Sequence, residues 1–151
     1  GLWQNFVINA NFTYIISESQ LFSSEAVLDQ VTWVSTTVTG LRSGPMPQQP
    51  DYIANLTLGY DIGGFSGRVS VFSQGRTLNG VGKQAPFDRY VDPFTRLDIS
   101  LKYALNDHLS FLFNGTNLLN EPDTHFQSDT PKYRLLEYYG SMYDFGIQYI
   151  F

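Results

Sequence analysis

The chain has 151 residues, a formal net charge of −5, and 16% aromatic against 15% charged residues. Nine Lys plus Arg against 14 Asp plus Glu leave no basic face for nucleic acid. The lack of cysteine removes disulfide frameworks, thiolate zinc sites and cysteine nucleophiles. Disordered chains are poor in aromatics and rich in charge, the reverse of this one. The longest uninterrupted apolar runs, such as Phe6-Val7-Ile8 and Phe111-Leu112-Phe113, are three residues long. A spanning helix needs about 20. No basic-then-apolar leader opens the sequence.

Period-2 alternation dominates the chain, and helical periodicity is nearly absent. Six segments carry it. In residues 6–16, Phe6, Ile8, Ala10, Phe12, Tyr14 and Ile16 share one face, and Asn9, Asn11 and Thr13 the other. A long connection, residues 17–50, follows; its stretch 30–40 is β-rich, a candidate for extra strand or for a ladder rising above a membrane. Residues 52–61 set Ala54, Leu56, Leu58 and Tyr60 against Asn55, Thr57 and Asp61. Residues 65–74 set Phe65, Gly67, Val69 and Val71 against Ser66, Arg68 and Ser70. After residues 78–94, the segment 96–105 sets Leu97, Ile99, Leu101, Tyr103 and Leu105 against Asp98, Ser100 and Lys102. Residues 109–116 set Leu109, Phe111 and Phe113 against Ser110, Leu112 and Asn114. After residues 118–140, the segment 143–151 sets Tyr143, Phe145, Ile147, Tyr149 and Phe151 against Asp144 and Gln148. The six apolar faces carry no charge.

Alternation alone fits a half-buried soluble strand as well as a membrane strand. The connections separate the two. Asp61-Ile62-Gly63-Gly64 and Asn106-Asp107-His108 are tight hairpin turns, with residue types that supply turn conformations. The other three connections are long, so short and long ones alternate, as in outer-membrane barrels. Tyr60, Phe65, Tyr103, Tyr149 and Phe151 fall near the short-turn end, and Tyr14 and Tyr143 near the other, as two aromatic belts require. The predicted fold is therefore an all-β, antiparallel transmembrane β-barrel segment of about six strands. A closed outer-membrane barrel has at least eight, and an open edge in lipid leaves backbone groups unsatisfied.

The ending Tyr143-Asp144-Phe145-Gly146-Ile147-Gln148-Tyr149-Ile150-Phe151 resembles the terminal strand of outer-membrane barrels. Asn9-Ala10-Asn11-Phe12-Thr13-Tyr14, Pro47-Gln48-Gln49-Pro50-Asp51-Tyr52-Ile53-Ala54-Asn55-Leu56, Arg96-Leu97-Asp98-Ile99-Ser100-Leu101, Asn114-Gly115-Thr116-Asn117-Leu118-Leu119-Asn120-Glu121-Pro122 and Tyr138-Tyr139-Gly140 follow in the order of a TonB-dependent receptor. The chain thus resembles, over residues 1–151, the C-terminal portion of such a receptor's barrel. The resemblance implies a 22-stranded barrel to which this chain contributes about six strands. It implies a bacterial outer-membrane location and TonB-dependent uptake of a ferric siderophore, cobalamin or glycan. It implies as partners the remainder of the barrel and its plug domain, the TonB complex, the barrel-assembly machinery and outer-membrane lipid. Phe151, Tyr149 and Ile147 are implied as the assembly signal. Neither a plug domain nor a TonB-box segment is visible in the sequence, so the chain alone is not expected to perform energised transport. With Phe151 at the periplasm, both tight turns are periplasmic and the three long loops extracellular.

Nothing in the sequence supports catalysis, a cofactor or a metal. His108 and His125 lack a cluster of partners. Ser66 lacks the spacing of a nucleophile elbow, and Gly80-Val81-Gly82 has no following helix to cradle phosphate. The sequons at Asn11, Asn55 and Asn114 fall on lumen-facing strand positions, which argues against glycosylation. Lumen-facing Arg68, Asp98 and Lys102 are expected to form wall ion pairs or to contact the plug or a passing ligand. The loops are the expected place for recognition, through Trp33, Arg42, Arg76, Arg89, Tyr90, His125, Arg134, Tyr138 and Tyr139 by stacking or charge. Two other readings stand beside the receptor. One is a small self-contained outer-membrane barrel with a structural or adhesion role, drawing two more strands from residues 17–50. The other is a soluble β-sandwich that binds carbohydrate.

Overall fold

Strands of alternating character pair so that like faces meet. The computed structural model describes residues 2–128 and 133–151, except the side chains of Leu2, Tyr133 and Arg134. In chain order its strands are β1 Phe6–Tyr14, β2 Ser19–Leu28, β3 Ser35–Gly44, β4 Tyr52–Ile62, β5 Phe65–Gln74, β6 Thr77–Gly80, β7 Arg89–Val91, β8 Phe94–Ala104, β9 Leu109–Thr116, β10 Asp123–Gln127, β11 Tyr133–Glu137 and β12 Met142–Tyr149. Short 3-10 turns occupy Leu2–Asn5 and Ala85–Phe87.

The six segments predicted from alternation form one antiparallel sheet, ordered β1-β4-β5-β8-β9-β12, with β1 and β12 at its edges. Its register unites the six apolar faces. One row runs across the whole sheet as Ile8, Leu58, Val69, Ile99, Gly115 and Tyr143. The next row, on the opposite face, is Val7, Gly59, Arg68, Ser100, Asn114 and Asp144. A one-residue slip would exchange the two faces, so this pattern fixes the register.

Both tight turns form where expected. Ile62 pairs with Phe65 around Gly63-Gly64. Gly63 sits at φ 54°, which L side chains rarely adopt, and a Cβ on Gly64 would lie 2.3 Å from the Ala104 carbonyl oxygen. In the β8–β9 turn, Asn106 Oδ1 accepts the backbone N–H of His108 and of Leu109, each at 2.9 Å. Strand ends differ from expectation by one or two residues: β1 stops at Tyr14 and β8 begins at Phe94.

The long connections are folded. The first is a ten-pair hairpin, Ser19↔Gly44 to Leu28↔Ser35; residues 30–33 form its tip and residues 35–40 run in β3, the strand ladder outside the main sheet rather than an extra strand within it. It forms a two-stranded sheet of its own and adds nothing to the six-stranded one. The other two combine into a second sheet, β11-β10-β7-β6. We call this hairpin and sheet the cap.

The core lies in the cap. Among the described residues, the buried apolar side chains are Leu21, Leu78 and Phe126. The sheet's apolar face is open: Ile8 is 70% exposed, Ile147 72% and Phe145 82%. A soluble sandwich buries its inner faces against each other; this sheet does not. Among the described residues, no helix is long and apolar enough to cross a membrane.

Candidate functional site

The cap is held together at Asp88, which is 2% exposed. Its Oδ1 accepts from Arg42 Nη2 at 2.5 Å and from the Gly82 backbone N–H at 2.7 Å. Its backbone carbonyl accepts the N–H of Ser128 at 2.7 Å. All three long connections therefore meet at one residue. Backbone bonds from Ser24 to Lys83 and from Gln48 to Leu78, each 2.8 Å, join the first connection to the second. β7 pairs with β10 to join the second to the third.

Beneath this cap, on the polar side of the sheet, lies a cavity of about 600 Å³. Phe94 and Arg96 form its floor, Asn117 and Glu121 one wall, and Asp123, His125 and Tyr139 the loop side. Asn117 shapes the wall. It adopts φ 53°; its Oδ1 accepts the Glu121 N–H at 2.9 Å, and its Nδ2 donates to the Gly140 carbonyl at 3.1 Å. The Glu121 carboxylate has no polar partner among the described residues. The Arg96 guanidinium lies over the Phe72 and Phe94 rings, 5.5 and 5.4 Å from their centroids. His125 Nε2 lies 3.1 Å from Asp123 Oδ1, and its Nδ1 lies 3.5 Å from the Asn79 side-chain nitrogen. The Tyr139 hydroxyl donates to Glu137, and this bond raises the phenol above its ordinary pKa.

His125 and Tyr139 thus lie at the cavity. Arg76 and Tyr90 line a smaller cleft of about 230 Å³. There the Arg76 guanidinium sits 3.8 Å from the Tyr90 centroid, and Tyr90 stacks on Phe126 at 5.6 Å. Arg42 is turned inward onto Asp88 and is 18% exposed. Arg89 lies across Gly80, where a Cβ would fall 2.7 Å from its Nε. Tyr138 is exposed beside Tyr139. The Arg134 side chain lies outside the described residues. Phe94, Arg96, Asn117, Glu121 and Asp123 were not singled out from sequence as loop-site candidates. The left-handed Asn in Asn117-Leu118-Leu119-Asn120-Glu121-Pro122 is the one local signal of this wall.

Trp33 stands apart at the hairpin tip, 75% exposed and at φ 53°. Asp29 builds that tip: its Oδ1 accepts the N–H of Val31 at 2.8 Å and of Thr32 at 3.1 Å. These bonds, Thr32's first, hold its carboxyl below the ordinary range. A depressed folded-state pKa gives stability above the ordinary aspartate value of about 3.9 and loses it as pH falls through the depressed value. Amide protection at Val31 and Thr32 should therefore persist at about pH 4 and decline below it. Protection that is constant from about pH 5 to pH 2 would remove Asp29 from the turn's support.

On the sheet's polar face, Arg68 pairs with Asp61 through two bonds of 2.7 Å. It lies across Gly59, where a Cβ would come 2.7 Å from its Cδ. Asp98 accepts the Asn117 N–H at 2.8 Å. Lys102 is exposed and has no polar partner among the described residues. Asn55 donates to Asn11 at 2.9 Å, and Ser100 donates to Asn114 at 2.8 Å. Phe151 is fully exposed, with Tyr149 and Ile147 on the apolar face.

An open apolar face, a polar face tied by hydrogen bonds, tight turns at one end and a folded cap at the other define a membrane β-barrel wall. The chain belongs to the TonB-dependent receptors: the family "TonB dependent receptor-like, beta-barrel" matches residues 1–118. Comparison with curated proteins and with solved structures returned no match. The family resides in the Gram-negative outer membrane and serves transport, and its full receptors associate with a plug domain and TonB. The cavity straddles the limit of the match, with Arg96 inside it and Glu121 beyond.

Proposed function

We propose that this chain is the C-terminal portion of a TonB-dependent receptor's barrel, contributing about six of 22 strands together with three extracellular loops. The observation that carries this is the union of six apolar faces into one exposed sheet face beside a folded cap. The cap captures a scarce nutrient. The rest of the barrel closes the edges at β1 and β12, where open backbone groups in lipid would each cost several kcal/mol. A plug, moved by energy delivered through TonB, then passes the ligand inward. The terminal alternation ending in Phe151 serves as the assembly signal. The self-contained barrel loses its source of extra strands, because the β2–β3 hairpin pairs only with itself.

The natural chain has no cysteine, which gives a clean topology test. Gln30→Cys at the hairpin tip should react with a membrane-impermeant maleimide on intact cells. Asp107→Cys in the β8–β9 turn should react only after lysis. The reverse pattern would invert the orientation, and labelling of neither without lysis would refute the outer-surface cap.

Lys102 is the polar-face cation best placed to meet a plug. Lys102→Glu should leave barrel assembly intact and weaken plug retention, read as easier extraction or proteolysis of the plug. Unchanged plug stability in that variant would assign Lys102 to the wet wall alone.

A further inference from the structure

The open apolar face is not smooth. Near its short-turn end, a groove of about 500 Å³ crosses β5, β8, β9 and β12. Two neighbouring rows of that face make its sides. Leu101, Phe113 and Phe145 form one, and Tyr103, Phe111 and Ile147 the other. A glycine shapes the β5 end. Gly67 pairs with Leu101, and the Phe65 ring lies over it, so that a Cβ there would fall 3.0 Å from Phe65 Cζ. In hydrocarbon, apolarity alone selects nothing, because lipid tails are as apolar as Leu. A groove still selects, since it surrounds its occupant and multiplies dispersion contacts that are individually tiny.

We propose that this groove holds one acyl chain of a zwitterionic phospholipid of the periplasmic leaflet, with the lipid's ammonium at Asp107. The inference rests on the receptor reading above, which sets the short turns at the periplasm. The groove is continuous with the bilayer-facing surface, so a chain enters it by lateral movement alone. Charge selects the headgroup. At this end of the sheet Asp61 is matched by Arg68. Lys102 belongs to the opposite face, in the row of Ser66. Asp107, exposed in the β8–β9 turn, has no polar partner among the described residues. It attracts an ammonium and repels a headgroup of net negative charge. Tyr103, 50% exposed, sets a phenol between chain and headgroup, the level at which amphipathic rings rest.

The test uses the full-length gene product extracted from outer membranes, stripped of lipid in detergent. It is titrated with phosphatidylethanolamine and, separately, with phosphatidylglycerol of the same chains, and bound lipids are counted by native mass spectrometry. One phosphatidylethanolamine should bind more tightly than the rest and more tightly than phosphatidylglycerol. Leu101→Trp, which fills the groove, should weaken that site by about tenfold. Leu58→Trp, on the same face outside the groove, should leave it unchanged. Phe145→Ala removes one side without touching backbone pairing and should weaken it as well. Asp107→Lys should shift the preference by about threefold toward phosphatidylglycerol. Heat-modifiable migration in gels confirms that each variant is folded. Equal binding in folded Leu101→Trp, Phe145→Ala and Leu58→Trp would overturn the proposal. So would a natural chain that prefers phosphatidylglycerol or retains no lipid selectively. Absence of a folded barrel from outer membranes would instead overturn the receptor reading, which keeps the two failures distinct.

Discussion

Asp88→Ala should release the β2–β3 hairpin from the rest of the cap, at a local cost of about 3–5 kcal/mol. The magnitude follows from burial. Asp88 is 2% exposed and its partner Arg42 18%, and removing one member strands the other charge in a poor solvent. The remaining ties are weaker: a net backbone hydrogen bond contributes about 0.5–1.5 kcal/mol, and one such bond, from Ser24 to Lys83, links the hairpin to the second connection. Native-state hydrogen exchange should then show lost protection over residues 19–44 with β4 and β5 unchanged, because stability is local to each cooperative unit. Replacing both members with apolar side chains, Arg42→Met with Asp88→Leu, should recover most of the loss. If the single variant leaves hairpin protection intact, backbone pairing and Leu21 packing hold the cap, and the ion pair is incidental.

The second large effect separates the membrane wall from any soluble reading. Val69 lies mid-sheet on the apolar face, paired with Leu58 and Ile99. Ser70, its neighbour, faces the other way, between Thr57 and Asp98. In a bilayer, Val69→Lys should cost about 2–4 kcal/mol, the price of a cation near the midplane. Ser70→Lys gives up a 3.0 Å hydrogen bond to Thr57 on the wet side and should cost about 0.5–1.5 kcal/mol, less than Val69→Lys. In water Val69, 40% exposed, would accept a lysine at little cost. Denaturant unfolding of the assembled barrel in lipid vesicles reads the difference. Equal stability of the two variants would contradict a lipid-facing surface.

Much of the sheet was legible because its signal is local and repeated. Arg68, Val69, Ser70 and Val71 in β5 declare their faces by alternation, and the Gly63-Gly64 and Asn106 turns fix where strands reverse. The cap was not legible, because its strands are three to five residues long at β6, β7, β10 and β11 and carry no sustained alternation. Their pairing depends on partners far along the chain: Phe126 meets Tyr90, and Arg42 meets Asp88 across 46 positions. The sequence marks Arg42 as a loop cation, and only the fold turns it inward. The sequence left the β2–β3 region open between an extra barrel strand and a ladder outside it, and its tip was illegible for a related reason. Val31, Thr32, Trp33 and Val34 favour strands by composition, while Asp29 bends the backbone there through its own side chain. Arg96 and Glu121 escaped notice because a cavity wall is a property of three connections together, and neither residue stands in a motif.

Because three segments converge on Asp88, the molecular surface around it is a composite that no continuous stretch of sequence reproduces. Antibodies to the folded protein at this surface should see discontinuous epitopes. A synthetic peptide copying residues 78–94 would display Leu78 and Asp88, two side chains that folding hides, and sera raised against it should react with the denatured protein and pass over the native one. The hairpin tip is the exception. Val31 and Trp33 lie in a short turn closed by its own bonds, so a cyclised copy of residues 28–35 is the better immunogen for reaching intact cells.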